Sequence, residues 1–181
     1  DYRCFSPDVY LYPARDLLFY SSDIHGNLLT RQRMQVMKHL AEESGGAVIT
    51  TVDGLMDHLL PLENLKRQCL RVGSGEALDV DKLKVSLTGM GYERVAQVDG
   101  MGQFSIRGGI LDIFPLTEEM PVRIELWDTE VDSIRTFDLE SQRSVEQMDR
   151  VTIYPASEMV LTKERIAEGV RRIEKEEKKY E

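Results

Sequence analysis

From residue 94 to residue 137 the hydropathy of the chain repeats every two residues, and no other feature constrains the fold as tightly. Apolar and polar side chains alternate through 94–98, 103–107, 110–114, 122–127 and 131–137, the pattern of strands that bury one face and wet the other. Asp99-Gly100, Gly108-Gly109 and acidic turns separate these runs, so neighbouring strands are predicted to pair antiparallel, with Asp99-Gly100 as a hairpin turn. Just upstream, Asp79 is an N-cap for a helix that turns Val80, Leu83, Leu87 and Met90 inward, and Gly89 and Gly91 close it. Together these segments predict an antiparallel sheet beside one helix, spanning 68–150.

The flanking segments follow other rules. VYLY at 9–12 is a short strand closed by Pro13, a helix over 28–40 bears Leu29, Met34, Met37 and Leu40, and Gly45-Gly46 ends it. AVITTV at 47–52 has the β-branched texture of a strand buried in a parallel sheet, which makes 1–67 a partial α/β unit. Asp53 is expected to cap a short helix over 54–60, and CLRV at 69–72 to form a strand before the Gly73-Ser74-Gly75 turn. The 151–181 segment returns to the α/β unit through the strand VTIYP, then enters a helix capped by Thr162 with Ile166, Val170 and Ile173 on one stripe. The last pattern shows no stop signal, so the chain reads as part of a longer protein. Its fold class is α/β, with the antiparallel α+β module inserted.

Charge narrows the function. The net charge is −9, and between 68 and 150 there are 16 Asp and Glu against 9 Lys and Arg, a net of −7. That balance argues against binding the phosphate backbone, which needs clustered cations. No GxxxxGK[ST] phosphate loop is present, and no apolar run reaches the roughly 20 residues of a membrane helix. Cys4 and Cys69 are too few for a disulfide framework, and His25, His39 and His58 are scattered singly, which gives no metal or acid-base cluster. Asp128, Glu130 and Asp132 read as a solvated acidic rim. No cofactor and no catalytic residue are predicted, and the cytoplasm is the expected compartment.

Within FSIRGGILDIFP, at 104–115, parity puts Phe104 and Ile106 on one face and Ser105 and Arg107 on the other. In VRIELW the inward set is Val122, Ile124 and Leu126, which leaves Arg123, Glu125 and Trp127 in one outward row. Gly108-Gly109 forms a turn or bulge that keeps Cβ atoms away from an approaching partner. Asp112, flanked by apolar residues, is expected to be hydrogen-bonded to local backbone or to an arginine. Arginine and tryptophan are enriched among interface hot spots, so Arg107, Arg123 and Trp127 are the candidate binding residues. In so acidic a module they suit acidic side chains of another protein better than DNA.

These same stretches, GYERVAQVDGMGQFSIRGGILDIFP, PVRIELWDTEVDSIRTFDLESQRS and IYPASE, with YPARDLLFY and AVITTVDGLM upstream, closely resemble the UvrB-homologous N-terminal region of bacterial transcription-repair coupling factors. The resemblance implies a partial helicase-like α/β domain without working ATPase motifs, and an inserted module that binds the repair protein UvrA through Arg107, Arg123 and Trp127. It implies that contacts with RNA polymerase and DNA, and the ATP-driven motor, belong to other parts of the parent. The corresponding fragment of UvrB, or an ATP-binding helicase-core fragment, is the alternative. UvrB shares the arginine-glycine strand but has a tyrosine-rich β-hairpin for which VYLYPARDLLFYSSDIHGNLLTRQ is too short.

Overall fold

Alternation at 103–137 becomes the centre of a six-stranded sheet. The computed structural model describes residues 8–15, 23–42, 45–57, 59, 61–158 and 163–179, with the side chains of 23–27 and 163–165 outside the description. In chain order the elements begin with β1 (Val9–Tyr12), α1 (Asp23–Ala41), β2 (Ala47–Thr50), α2 (Val52–Met56), α3 (Leu62–Gln68), β3 (Leu70–Gly73) and α4 (Val80–Gly89). They continue with β4 (Glu93–Arg94), β5 (Gln103–Arg107), β6 (Ile110–Ile113), β7 (Val122–Trp127), β8 (Glu130–Phe137), β9 (Ser144–Met148), β10 (Arg150–Ile153) and α5 (Lys163–Glu177).

The large sheet has the order β4-β5-β6-β7-β8-β9. One of its faces buries Phe104, Leu111, Ile113, Val122, Ile124 and Ile134 against Leu83 and Leu87 of α4, each side chain contributing roughly 1.5–3 kcal/mol by burial. Asp79 caps α4 by accepting from the Asp81 and Lys82 N–H groups, both at 3.1 Å. Gly91, at φ +91, closes the other end, with the Tyr92 N–H donating back to the Leu87 carbonyl at 3.0 Å. β3 pairs antiparallel with β10 in a separate two-stranded sheet, and Val72, Val151 and Ile153 join the core under the large sheet, so the strand expected to lead back to the α/β unit packs with the 68–150 segment instead.

Four expectations change. β4 spans two residues rather than 94–98 and runs parallel to β5, because Asp99-Gly100 forms no hairpin turn. The Asp99 and Gly100 N–H groups both donate to the Gln103 side-chain oxygen at 3.0 Å, which curls the connection back beside β5. The short helix at 52–56 is capped by Thr51, whose hydroxyl accepts from the Gly54 N–H at 3.2 Å, and Asp53 sits in its first turn. β2 pairs in parallel with β1 as expected, but it stops at Thr50, and Val48 and Ile49 are exposed instead of buried. Among the described residues this sheet has only two strands, which leaves that face uncovered. Finally, Ile166, Val170 and Ile173 of α5 are exposed. The helix α3 and strand β9 were not anticipated. Cys4, His58 and the expected Thr162 cap lie outside the described residues, as does the His25 side chain.

A second core joins the α/β unit to the large sheet. Met34, Met37 and Ala41 of α1 and Leu65 of α3 meet Tyr12, Leu116 beyond β6 and Tyr154 beyond β10. Beside it lies Arg33, only 1% exposed. Its guanidinium forms a two-pronged ion pair with Glu158, donates to Asp57 at 2.8 Å and to the Pro13 carbonyl at 2.6 Å, and stacks 4.2 Å above the Tyr12 ring. Burial by itself pulls its pKa down, but the hydrogen bonds and charge of Glu158, with Tyr12 and Asp57, hold it above the ordinary value. Burial also pushes the Cys69 thiol up to about 11. Lys38 to Glu118 and Arg31 to Glu119, both at 2.8 Å, bridge α1 to the connection after β6.

A buried pair broken from one side leaves an uncompensated charge, at about 3–5 kcal/mol. Arg15 still reaches Glu158 at 2.8 Å, so Arg33→Ala should lower unfolding stability by about 3 kcal/mol, the lower end of that range. Urea denaturation measures the loss, and an unchanged midpoint would contradict the role given to Arg33.

Candidate functional site

The polar face of the large sheet is organised by register. Ser105, Asp112, Arg123, Arg135 and Gln147 stand opposite one another across β5 to β9, and Arg107, Ile110, Glu125 and Ser133 form the next row. Directly paired residues share a face, so both candidate arginines lie on one side of the sheet with Asp112 between them. Trp127 follows Arg123 and Glu125 on alternate positions of β7, opposite Glu130 and just past a shift in the β7–β8 register between Glu125 and Leu126, while Leu126 packs against the core beneath.

Asp112, its side chain 2% exposed, receives both cations. Arg123 binds it with two prongs, Nε to Oδ1 at 2.6 Å and Nη2 to Oδ2 at 2.9 Å. Arg107 donates from Nη2 to Oδ2 at 3.0 Å. Of the two kinds of partner expected for Asp112, local backbone or an arginine, the structure supplies arginine, and two of them.

The arginines differ in what they offer outward. The Arg123 side chain is 15% exposed. It stacks 4.5 Å above the Phe137 ring and donates to the Gln142 backbone carbonyl at 3.3 Å and side-chain oxygen at 3.1 Å. The hydrogen bonds it donates to Asp112, followed by the charges of Asp112 and Glu125, raise its pKa against the opposing effect of burial. Arg123 thus takes the outward side expected of it but is clamped into the face, which leaves Arg107 as the more open of the two candidate arginines. Arg107 is 51% exposed, and Trp127 is 82% exposed.

Two hairpin ends bring Arg107 and Trp127 to one corner. Gly108 takes φ +60, and the Leu126 N–H donates to the Gly109 carbonyl at 2.7 Å. A Cβ on Gly109 would stand 2.7 Å from the Leu126 carbonyl oxygen, so the second glycine permits the close approach of β7. Asp128 takes φ +58 in the turn beyond Trp127. Asp128, Glu130 and Asp132 are exposed around it, the solvated rim read from the sequence. Half-exposed Ile110 completes the corner.

Parity alone pairs neither Gln142 with Arg123 nor Arg135 with Glu125. Gln142, at φ +58, belongs to the 138–143 segment, where the Asp138 carboxylate accepts from the Ser141 hydroxyl at 2.7 Å and N–H at 2.8 Å. Those bonds hold the Asp138 carboxyl below its usual range. Glu125 and Arg135, in contact at 2.6 Å and joined by Ser133 at 3.0 Å and 2.9 Å, form a second charge pair beside the first. Their cross-strand closeness needs the register, which no single strand reveals. Among the described residues no group of three His, Cys, Asp or Glu is placed to hold a metal, and no helix is long and apolar enough to cross a membrane.

Residues 70–159 match the family described as the UvrB interaction domain. The chain is 40% identical over 160 residues to a transcription-repair-coupling factor of Staphylococcus aureus, covering 88% of this chain and 14% of that protein. Similarity to the transcription-repair-coupling factor of Bacillus subtilis is 39% over 166 residues, or 92% of this chain and 14% of that protein. For that of Staphylococcus haemolyticus it is 42% over 155 residues, 86% and 13%. The chain therefore spans about one seventh of the length of the curated relatives it matches.

The two glycines make separable predictions. Gly108→Ala meets open space but keeps a left-handed φ, a strain of about 1 kcal/mol. Gly109→Ala meets backbone, and displacing β7 should reduce stability by about 2 kcal/mol. Thermal denaturation of both variants checks the order; Gly109→Ala as stable as wild type would mean that the approach of Leu126 is not obligatory.

Proposed function

This chain belongs, through residues 70–159, to the UvrB interaction domain family and is related over most of its length to transcription-repair-coupling factors, and from that premise we propose that it is the UvrA-binding region of such a factor. Its task is to recruit excision repair to stalled RNA polymerase. The segment 68–150 is the docking module, inserted in a partial helicase-like α/β domain formed by 1–67 and 151–181. That α/β part is non-catalytic in this reading, and polymerase and DNA are engaged by the rest of the parent.

The observation that supports the reading is the corner itself. An exposed indole and a half-exposed guanidinium lie on one face of one sheet, above an arginine locked to a buried carboxylate. A large rigid apolar surface beside a planar cation is the composition of an interface hot spot. Outward acids surround the corner, and general attachment to nucleic acid is disfavoured by the same charge balance. Arg107 supplies charge to the partner, Trp127 supplies apolar area, and Arg123 stiffens the face between them.

Two measurements test the proposal. UvrA binding should weaken about 30-fold or more when Arg107 and Arg123 are both changed to alanine, since truncation of hot-spot residues costs at least about 2 kcal/mol. Undiminished binding by a folded double variant would remove both residues from the interface. UvrB should compete with this chain for UvrA in a displacement assay, whereas simultaneous binding of both would show that UvrA meets them at separate surfaces.

A further inference from the structure

Asp112 lies too deep to touch a partner, yet it bonds to the arginine that is best placed to do so. Its negative charge is already met by the two prongs of Arg123, so the third bond, from Arg107 at 3.0 Å, is not needed to neutralise it. That bond restrains a long side chain at the hairpin end. A guanidinium has five N–H donors and no acceptor. One Nη2 donor is fixed inward, and the rest of the fork remains half-exposed next to Ile110, its partner across the strands.

We propose that Asp112 is a positioning residue for UvrA binding: it holds one corner of the Arg107 fork so that the free edge is presented to a carboxylate of the partner. The inference rests on the UvrA-binding reading above. Asp112 can serve in this way because it does not move with Arg107. Arg123 grips it from the neighbouring strand and is itself wedged between the Phe137 ring and Gln142. A carboxylate is the group that matches a fork edge with two parallel bonds. A lysine at 107 would retain the charge but lose both the inward bond geometry and the paired outward donors. Fixing the side chain before contact lowers the ordering that binding otherwise demands.

Calorimetric titration of UvrA with wild type, Arg107→Ala, Asp112→Asn and the double variant tests this by a thermodynamic cycle, with thermal denaturation confirming that each chain is folded. Asp112→Asn should weaken binding about tenfold when Arg107 is present and less than about twofold when Arg107 is already alanine. A purely structural role would take the same factor in both backgrounds and would overturn the proposal, as would wild-type affinity for Asp112→Asn. If Asp112→Asn does not fold, the surface variant Arg107→Lys decides. A loss close to that of Arg107→Ala supports a positioned fork, and wild-type affinity refutes it. Failure of the wild-type chain to bind UvrA at all would instead sink the functional reading on which the inference rests.

Discussion

A carboxylate cut off from water needs a cation, and Asp112 has two, each from a different strand. That shared pair ties the hairpin end of β5 and the middle of β7 to the central strand β6. It also pins the register. A slip of one residue would turn Asp112 into the apolar layer with Leu111 and Ile113 facing solvent, an exchange no sheet with one buried face tolerates. Once the register is set, the other side chains have no choice of side: Phe104, Ile124 and Ile134 enter the core, and Arg107 and Ile110 pair on the outward face at the end of the sheet where Trp127 is exposed.

Much of this was legible because alternation and turn chemistry are local. The four strands β5 to β8 emerge nearly where the period of two places them, the Asp79 cap was visible as an acid ahead of an apolar stripe, and the sides taken by Arg107 and Trp127 follow from counting. What parity could not give was distance. Asp112 and Arg123 become neighbours only through an eight-residue connection whose length specifies no turn type, and Gln142 arrives from a segment beyond β8. The Asp99-Gly100 signal misled for a related reason. A side chain four residues on, Gln103, took both N–H groups that a hairpin ladder would have used. At β2 the β-branched composition implied burial, but composition records a preference for a covered face and not the presence of a cover.

The α/β part and the large sheet are not independent neighbours. Leu116 follows β6 and Tyr154 follows β10, yet both pack with Met34, Met37 and Leu65, and the Tyr92 hydroxyl reaches back to the Tyr154 carbonyl at 2.6 Å. Burial raises the pKa of that hydroxyl, so it stays a protonated donor across the working range of most proteins. Glu158, just past the same return segment, completes the enclosure of Arg33. The connections that leave and re-enter the sheet module are thus packed into the second core, and the polar face is mounted on a frame whose joints are buried.

Trp127 is the only tryptophan in the chain, so the near-ultraviolet emission excited at the red edge of absorption originates from the corner alone. The protein has, in effect, a built-in optical probe at the place where a partner would arrive, and its colour and its quenching by small solutes report the wetting of that corner without any label.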